Sequence, residues 1–424
     1  MIRNIDSTDR RMKIFMMLLI VFISIGMFVN YMYFPAMPLI AKDLSVSNSI
    51  VAQSVSASFI GYALSQIFFG SISDSFGRKK SLLIGLAILI AGILLAISAN
   101  SIDQLITARF IQGLGLGSTS VLYRVMLKDY FPKNLLGWAV STITTFTALF
   151  PAFAPFLGGI ILIEFTWKTL FLILLIYSVI GFIILKLYLP ETLTKEERIP
   201  INTKNIIHSY ACLFINKKYL KYVICIVFSY ACLTLYIAAT PFIYQIQFHL
   251  NSAEYGTLII IPTLSFILGG KISAFLNKRN IQLNKIILSG AIIIFCSSLI
   301  LAFAKNLQIN NYLIVTGLVT IEALGISLTY INATAGMLNK LPKTSGPGVA
   351  LSGFLQMAGS GIIIFGVSFM HIDSTFTLGA ASGLCSFIAL LAVLKIKLRF
   401  NRKIKFYKSA KKGLLKNVVQ NSYY

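Results

Sequence analysis

The sequence predicts an all-α integral membrane protein in which twelve transmembrane helices form two bundles of six. Hydrophobic residues make up 57% of the 424 residues and charged residues only 12%, and the mean hydropathy is +0.82. A chain of this composition has too little polar surface for a soluble domain. Its apolar residues are gathered in stretches of about 20, which is the length that an α-helix needs to cross a membrane.

The first apolar segment follows the polar residues 1–13 and continues to Leu39 without a small-residue cleavage site. It is therefore predicted to be a membrane helix and not a removed signal peptide. The chain divides into an N-terminal bundle (1–189), a polar linker (190–218), a C-terminal bundle (219–396) and a basic tail (397–424). The second to twelfth segments are predicted near residues 50–72, 80–98, 102–127, 136–161, 167–189, 219–243, 254–276, 283–304, 310–338, 347–370 and 375–396.

The orientation follows from the basic residues, which recur in every second loop. The formal net charge is +24, with 37 Lys and Arg against 13 Asp and Glu. Because short basic loops stay on the cytoplasmic side, both termini and the linker are predicted to be cytoplasmic. The charge indicates topology and contact with anionic lipid, while the patterns of nucleic-acid-binding proteins are absent. The basic loops are 78–80, Lys128 and Lys133, the linker, Lys278 and Arg279, and Lys340 and Lys343.

A polar hairpin at residues 70–80 connects the second and third segments. Gly77 is expected to take the positive φ that lets the chain reverse, and Asp74 to cap a helix or pair with a cation. Half a chain later a second copy repeats the pattern at a constant offset, which predicts two similar halves in the same orientation. Asn277, the next best residue for positive φ, replaces Gly77, and Ala274 replaces Asp74. The second copy is Gly270, Asn277, Lys278 and Arg279, matching Gly70, Gly77, Arg78 and Lys79.

Arg109 is expected about two turns into the fourth segment, where an isolated cation costs ~2.5–3.5 kcal/mol. The small residues in the stretch 108–117 allow helices to approach closely, so the guanidinium can reach the carbonyl groups of a neighbouring helix. The alternative is an arginine whose charge extends to the outer interface.

The fifth segment contains two prolines, Pro151 and Pro155, followed by the glycine pair Gly158 and Gly159. Proline removes backbone donors, and glycine permits bending and close packing. The pattern predicts a hinge. The alternative is a kinked packing interface that does not bend in function.

Glu322 in the tenth segment is the only acid deep inside an apolar stretch. At helical spacing it shares a face with Gly325, Thr329, Asn332 and Gly336, so it is predicted to face protein or a cavity and not lipid. It is interpreted as a protonatable site or an anchor for a cationic substrate. The alternative is a neutral glutamic acid that is hydrogen-bonded between helices.

Weaker candidates are aromatic, thioether and amide side chains that could line a cavity for varied ligands. Each of them alone is more often a packing residue. The five cysteines and three histidines share no metal-ligand spacing, so no metal, cofactor or enzyme site is expected. The cavity candidates are Met27, Tyr31, Tyr230, Tyr236 and Gln356.

The spacing Gly70-x-x-x-Asp74-x-x-Gly77-Arg78-Lys79 resembles the signature loop of the major facilitator superfamily, which implies that these five residues form a conformational gate. The fourth segment resembles the family motif whose arginine is implicated in proton or substrate coupling, which marks Arg109 and Gln112. The fifth segment resembles the antiporter motif of drug exporters. Six further stretches narrow the resemblance to drug:proton antiporters of the bicyclomycin and chloramphenicol resistance type: residues 33–38, 124–132, 189–193, 239–242, 332–334 and 353–356.

Two positions depart from that pattern. The subfamily usually has an aspartate, a candidate proton carrier, four residues before the first-segment proline, but here Tyr31 stands there, preceded by Asn30. A tyrosine does not titrate near neutral pH, so the mechanism of proton antiport cannot simply be carried over. Asn30 and Tyr31 are retained as coupling or substrate candidates. In the hairpin, Ser75 stands where a basic residue is common.

The expected function is export of a small organic compound, drug-like or endogenous, across the bacterial inner membrane by alternating access. Protons are the expected coupling ion, and the resemblance implies a monomer. Two alternatives remain open. The missing first-segment acid is compatible with uptake or uncoupled transport of a metabolite, and a non-transporting sensor on a transporter fold would bind a ligand without moving it.

Overall fold

The structure is a computed structural model, and it describes residues 2–194, 196, 198, 211–304, 306–308, 311–341 and 346–394. These residues form helices joined by turns and short connections, and eleven helical segments are long and apolar enough to cross a membrane. The prediction of an all-α membrane protein is therefore confirmed. Most of the linker, Lys343 and the tail 397–424 lie outside the described residues.

The helical elements follow one another along the chain with short connections. The first half has the helices Ile2–Tyr31, Met37–Asp43, Asn48–Phe76, Arg78–Ile97, Ile102–Tyr130, Lys133–Thr147, Phe150–Glu164 and Trp167–Tyr188, and a 3-10 turn at Phe34–Ala36. The second half has the helices Lys217–Phe242, Ser252–Leu258, Ile260–Lys278, Leu283–Ala302, Tyr312–Leu338, Gly346–Val367 and Thr375–Leu394, and a π-helix at Ile243–Gln247.

The helix Ile102–Tyr130 forms the predicted fourth segment and packs against the second and third segments. It is not among the eleven apolar helices, because charged residues and glycines interrupt its apolar sequence. A Cβ atom added to Gly115 would lie 2.6 Å from the backbone nitrogen of Leu89, and one added to Gly92 would lie 2.7 Å from that of Gln112. The glycines therefore allow the helix backbones to touch.

Three predicted segments are interrupted. The first ends as a helix at Tyr31 and continues, after the 3-10 turn, at Met37–Asp43. The fifth consists of Lys133–Thr147 and Phe150–Glu164, with Pro151 in the first turn of the second helix and Pro155 inside it. The eighth consists of Ser252–Leu258 and Ile260–Lys278. The break in the fifth segment lies directly before its two prolines, which is where missing backbone donors weaken a helix.

The 70–80 hairpin is more helical than the sequence indicated. The second segment continues past the predicted end at residue 72 as far as Phe76, so Gly70 and Asp74 lie on its last turns. The chain reverses at Gly77, which has a φ of 98° as expected, and the third segment begins at Arg78.

In the second copy of the hairpin, the expectation for Asn277 is wrong. Asn277 lies on the helix that continues to Lys278, and its side-chain nitrogen donates to the side-chain oxygen of Asn332 at 2.9 Å. The positive φ, 56°, belongs to Asn280. Asparagine tolerates a helical conformation, so it does not stop a helix as glycine does.

The two halves contact each other most extensively along two pairs of segments. The hydroxyl of Ser56 in the second segment donates to the carbonyl oxygen of Gly361 in the eleventh at 2.6 Å. A Cβ atom added to Gly256 in the eighth segment would lie 2.7 Å from the carbonyl oxygen of Pro155 in the fifth. Small residues therefore permit close contact between the halves at both places.

Replacement of Gly77 by alanine is expected to destabilise the protein. The backbone at Gly77 has φ 98° and ψ 155°, a region almost restricted to glycine, where another residue costs ~1–3 kcal/mol. The new Cβ atom would also lie 2.6 Å from Oε2 of Glu191. We expect a lower apparent melting temperature for the purified Gly77→Ala protein in detergent.

The matched control is Gly70→Ala, because nothing lies within 4 Å of a Cβ atom added there and alanine favours a helix by ~0.5–1 kcal/mol over glycine. Equal melting temperatures for the two variants would contradict the assigned strain at Gly77.

Candidate functional site

Arg78 is the centre of a charged cluster at the hairpin end of the first half. Its side chain forms ion pairs with Asp74, one turn earlier, and with Asp129 at the end of the fourth segment, where Nε lies 2.9 Å from Oδ2. Nη1 also donates to the hydroxyl of Ser73 at 2.7 Å. Arg78 is only 6% exposed, so these contacts hold the guanidinium in a protein environment where charge-assisted bonds are strong.

Glu191, which follows the sixth segment, caps the start of the third. Its carboxylate accepts hydrogen bonds from the backbone N–H groups of Arg78 at 2.8 Å and Lys79 at 3.2 Å. A carboxylate in this position satisfies donors that have no partner within the helix and interacts favourably with the helix dipole. We call Asp74, Arg78, Asp129 and Glu191 the hairpin cluster.

Sequence reasoning identified Asp74 and Arg78 but not the two acids from further along the chain. Asp129 lies at the C-terminal end of the fourth segment and Glu191 follows the C-terminal end of the sixth, and both ends are on the same side as the hairpin. This shared location was the signal that could have identified them as partners of Arg78. Asp74, Arg78 and Asp129 of the hairpin cluster come from the first half, and Glu191 comes from the start of the linker. Among the described residues, no hydrogen bond or ion pair joins the cluster to the second half.

Arg109 is fully buried inside the first half. Nη1 donates to the carbonyl oxygen of Val29 at 3.2 Å and to Oε1 of Gln112 at 2.7 Å, while the guanidinium lies 4.4 Å from the ring centre of Tyr33. Gln112 in turn donates to the carbonyl oxygen of Gly92 at 3.0 Å. The guanidinium therefore reaches a carbonyl of a neighbouring helix, and the alternative of a charge that extends to the interface is wrong.

The hydrogen bonds of Arg109 are incomplete. Nε and Nη2 are buried without a hydrogen-bond partner in the described part of the chain. No carboxylate of those residues lies within 4.0 Å of the guanidinium either. Asn30, at 7% exposure, and Tyr31 lie on the first segment close to Val29, but neither supplies a negative charge.

Glu322 lies inside the second half and is 1% exposed. The hydroxyls of Ser298 and Ser382, from the ninth and twelfth segments, lie beside its carboxyl group, but neither is aligned for a hydrogen bond, and both carboxyl oxygens are buried without a partner. Gly325, Thr329, Asn332 and Gly336 on the same face are buried as well. Glu322 therefore faces protein and not lipid.

Tyrosine side chains from both halves come together where the halves meet. Tyr31 of the first segment lies next to Tyr230 of the seventh. The ring centres of Tyr230 and Tyr330 lie 5.8 Å apart, and the hydroxyl of Tyr330 donates to Oε1 of Gln356 at 3.3 Å. Tyr62 is a further neighbour of Tyr31. With Tyr123 on the fourth segment, these residues define what we call the tyrosine cavity.

The structure brings together three of the predicted cavity residues, namely Tyr31, Tyr230 and Gln356. It places Tyr236 elsewhere, because this side chain is 4% exposed and lies near Glu322. Met27 packs half-buried against the hydrophobic core.

Sequence reasoning missed Tyr62, Tyr123, Tyr330 and the neighbouring Arg124. Arg124 is a charge inside a membrane segment, so the argument that identified Arg109 could also have identified it.

The end of the molecule opposite the hairpin is closed by contacts between the halves. The side-chain nitrogen of Gln245 donates to the carbonyl oxygen of Pro35 at 3.0 Å, and that of Asn48 donates to Asp373 at 3.2 Å. A groove of about 720 Å³ lies on the surface beside these contacts and includes Gln245 in its lining.

The predicted hinge residues of the fifth segment lie in close backbone contacts. A Cβ atom added to Gly158 would lie 2.6 Å from the carbonyl oxygen of Met32 in the first segment, and Gly159 faces Ser252 in the eighth. Pro155 faces Gly256 across the same boundary between the halves. These contacts establish close packing at Pro155 and Gly159, and bending of the segment stays a prediction.

On the side towards the hairpin, the second and eleventh segments are in contact where Gly353 faces Gln66, but one turn further along, no described residue lies within 4 Å of a Cβ atom added to Gly70. Arg124 lies between these levels and the hairpin and is exposed. This exposure is compatible with access to the tyrosine cavity from the hairpin end.

Comparison with known proteins identifies the architecture. The profile of the Major Facilitator Superfamily matches residues 16–367. The chain is 28% identical over 372 residues to a bicyclomycin resistance protein homolog of Haemophilus influenzae, covering 85% of this chain and 90% of that protein. It is 25% identical over 348 residues to multidrug resistance protein D of Escherichia coli, covering 82% and 86%.

Among solved structures, the crystal structure of the POT family transporter PepTSo is similar with a TM-score of 0.71 at 13% identity, covering 92% of this chain and 98% of that chain. This likeness concerns the fold. The curated relatives agree with the resemblance to the bicyclomycin resistance type. With the family profile matching most of its length, the chain belongs to the Major Facilitator Superfamily.

Proposed function

We propose that this protein is a secondary active transporter that exports a small organic compound across the bacterial inner membrane by alternating access. The observation that carries the proposal is the tyrosine cavity, which residues of both halves line. We infer that it opens towards the hairpin end, where Arg124 is exposed. Such a site between two similar halves is where transporters of this type bind their substrates. The relatives that are named for bicyclomycin and multidrug resistance support export of a drug-like compound.

The proposed topology has twelve membrane helices, namely the eleven apolar helices and Ile102–Tyr130. Both termini are cytoplasmic, since the basic loops of the sequence then lie on the cytoplasmic side. The hairpin end is then the cytoplasmic end, and we infer an inward-open state from the exposure of Arg124 towards that end. Residues 1–189 and 219–396 are the two bundles that rock against each other, with residues 190–218 as their cytoplasmic linker.

The hairpin cluster is the proposed cytoplasmic gate. In the proposed inward-open arrangement its contacts join the first half to the start of the linker at Glu191, which stabilises that half as a rigid unit. The side chain of Asp74 is 49% exposed and faces the end at which the halves separate. Closure of this end would bring the hairpin towards the eleventh segment, as expected for rigid-body rocking of two bundles.

Glu322 is the proposed proton carrier. A charged carboxylate is costly at a buried membrane position, so a carboxyl group there binds a proton unless a cation is nearby. The described residues place no cation within 4.0 Å of it. The two serine hydroxyls beside it can accept or donate hydrogen bonds, so they can accommodate either protonation state.

Uncoupled transport is the second candidate, and Tyr31 is the observation that favours it. At the position where the subfamily usually carries an aspartate, the phenol of Tyr31 lies next to Tyr230. That contact joins the two halves and supplies no titrating group near neutral pH. Transport that proceeds without proton movement would identify this second function.

Replacement of Asp74 by asparagine is expected to slow transport about two- to fivefold without loss of expression, because a half-exposed ion pair is worth ~0.5–1 kcal/mol. The measurement is the initial transport rate in proteoliposomes for bicyclomycin, chloramphenicol and nalidixate. Asp103→Asn is the control, since Asp103 is an exposed acid at the opposite end of the fourth segment. A full rate from Asp74→Asn would exclude the gating role.

Replacement of Glu322 by glutamine is expected to abolish proton release on substrate addition, because glutamine keeps the shape of the side chain but cannot carry a proton. Proton release is measured with purified protein in detergent at several pH values, with substrates from the same panel. The control is Glu254→Gln, since Glu254 is an exposed capping-box residue at a position where glutamine serves equally well.

Undiminished release from Glu322→Gln would exclude this residue as the carrier. Substrate binding by the wild type without any proton release would instead support the uncoupled alternative.

A further inference from the structure

Arg124 is a cation in the tyrosine cavity that the proposed function does not use. It lies six residues before the end of the fourth segment at Tyr130, which places it ~9 Å inside the helix end at 1.5 Å per residue. Its Nε donates to the hydroxyl of the adjacent Tyr123 at 3.0 Å. It also interacts with Tyr62 of the second segment and Tyr330 of the tenth. Arg124 therefore lies between the two halves, and it remains exposed to solvent.

The charge of Arg124 is not balanced by the protein around it. In the part of the chain that the structure describes, no carboxylate lies within 4.0 Å of its guanidinium, and the hydrogen bond from Nε is its only one. Its neighbours are phenols, which are neutral at neutral pH. The two terminal nitrogens have a planar fork that matches a carboxylate or phosphate, and no group of the described residues engages them.

The surroundings of the cavity strengthen this positive character. Arg109 on the same segment also has no carboxylate partner among the described residues.

We propose that the tyrosine cavity binds an organic anion, with Arg124 pairing with the anionic group and the tyrosine rings packing against an aromatic or apolar body. This inference rests on the proposed transport function and specifies its substrate class. Tyrosine rings alone could also accept a cation, but Arg124 in the same cavity would repel it. A carboxylate, sulfonate or phosphate group on an aromatic compound satisfies both features of the site.

The test compares nalidixate, an aromatic monocarboxylate, with its uncharged methyl ester, by isothermal titration to the purified full-length protein in detergent. We expect the wild type to bind the acid at least about tenfold more tightly than the ester, equivalent to ~1.4 kcal/mol. Arg124→Gln should lose this preference while still binding the ester, and Arg124→Lys should keep part of it. Lys128→Gln removes a charge from the same helix outside the tyrosine cavity and should keep the full preference.

The ester serves as an internal measure of folding, because it does not require the cation. An acid that binds no better than the ester in the wild type, or an unchanged preference in Arg124→Gln, would overturn the inference. In either of these two cases, transport of the ester in proteoliposomes would show that the proposed transport function stands although the anion inference fails. If neither compound binds and none of the transport panel moves, both fail.

Discussion

The burial of Arg109 in the fourth segment sets the arrangement of the whole first half. An isolated cation at such a position costs ~2.5–3.5 kcal/mol or more, and the chain offsets part of this with the carbonyl of Val29, the amide of Gln112 and the ring of Tyr33. Those contacts require the first and fourth segments to touch, and glycines permit that approach to neighbouring helices. The same rigid segment carries Arg124 to the cavity and Asp129 to the hairpin cluster, so one packing constraint positions both.

Local features of the sequence predicted much of this structure, because their physical cause lies in neighbouring residues. Segment lengths, the positive φ of Gly77 and the buried environment of Arg109 follow from apolar runs, backbone sterics and the cost of charge. The partners of Arg78 did not follow, since Asp129 and Glu191 lie 51 and 113 residues away and periodicity does not encode such pairings. The expectation of a positive φ at Asn277 failed for a local reason, because asparagine permits a helix to continue where glycine would end it.

Buried charges occur in both halves. In the part of the chain that the structure describes, the first half buries Arg109 in its fourth segment and the second half buries Glu322 in its tenth. Where the subfamily usually has an aspartate, this chain has a phenol next to Tyr230, which replaces a titrating group by a contact between the halves. The tyrosine cavity thereby gains an aromatic surface and loses a negative charge.

An anionic substrate would change what coupling has to achieve. Export of a monoanion moves one negative charge outward, and a membrane potential of 100 mV, inside negative, contributes ~2.3 kcal/mol to that movement, enough for a gradient of roughly fiftyfold. A transporter for such a compound does not depend on a first-segment acid to drive export. Proton exchange through Glu322 would add a second charge in the same electrical direction. The loss of the aspartate at Tyr31 and the unpaired cation at Arg124 are thus physically consistent with each other, because a cavity that selects anions can use the membrane potential directly.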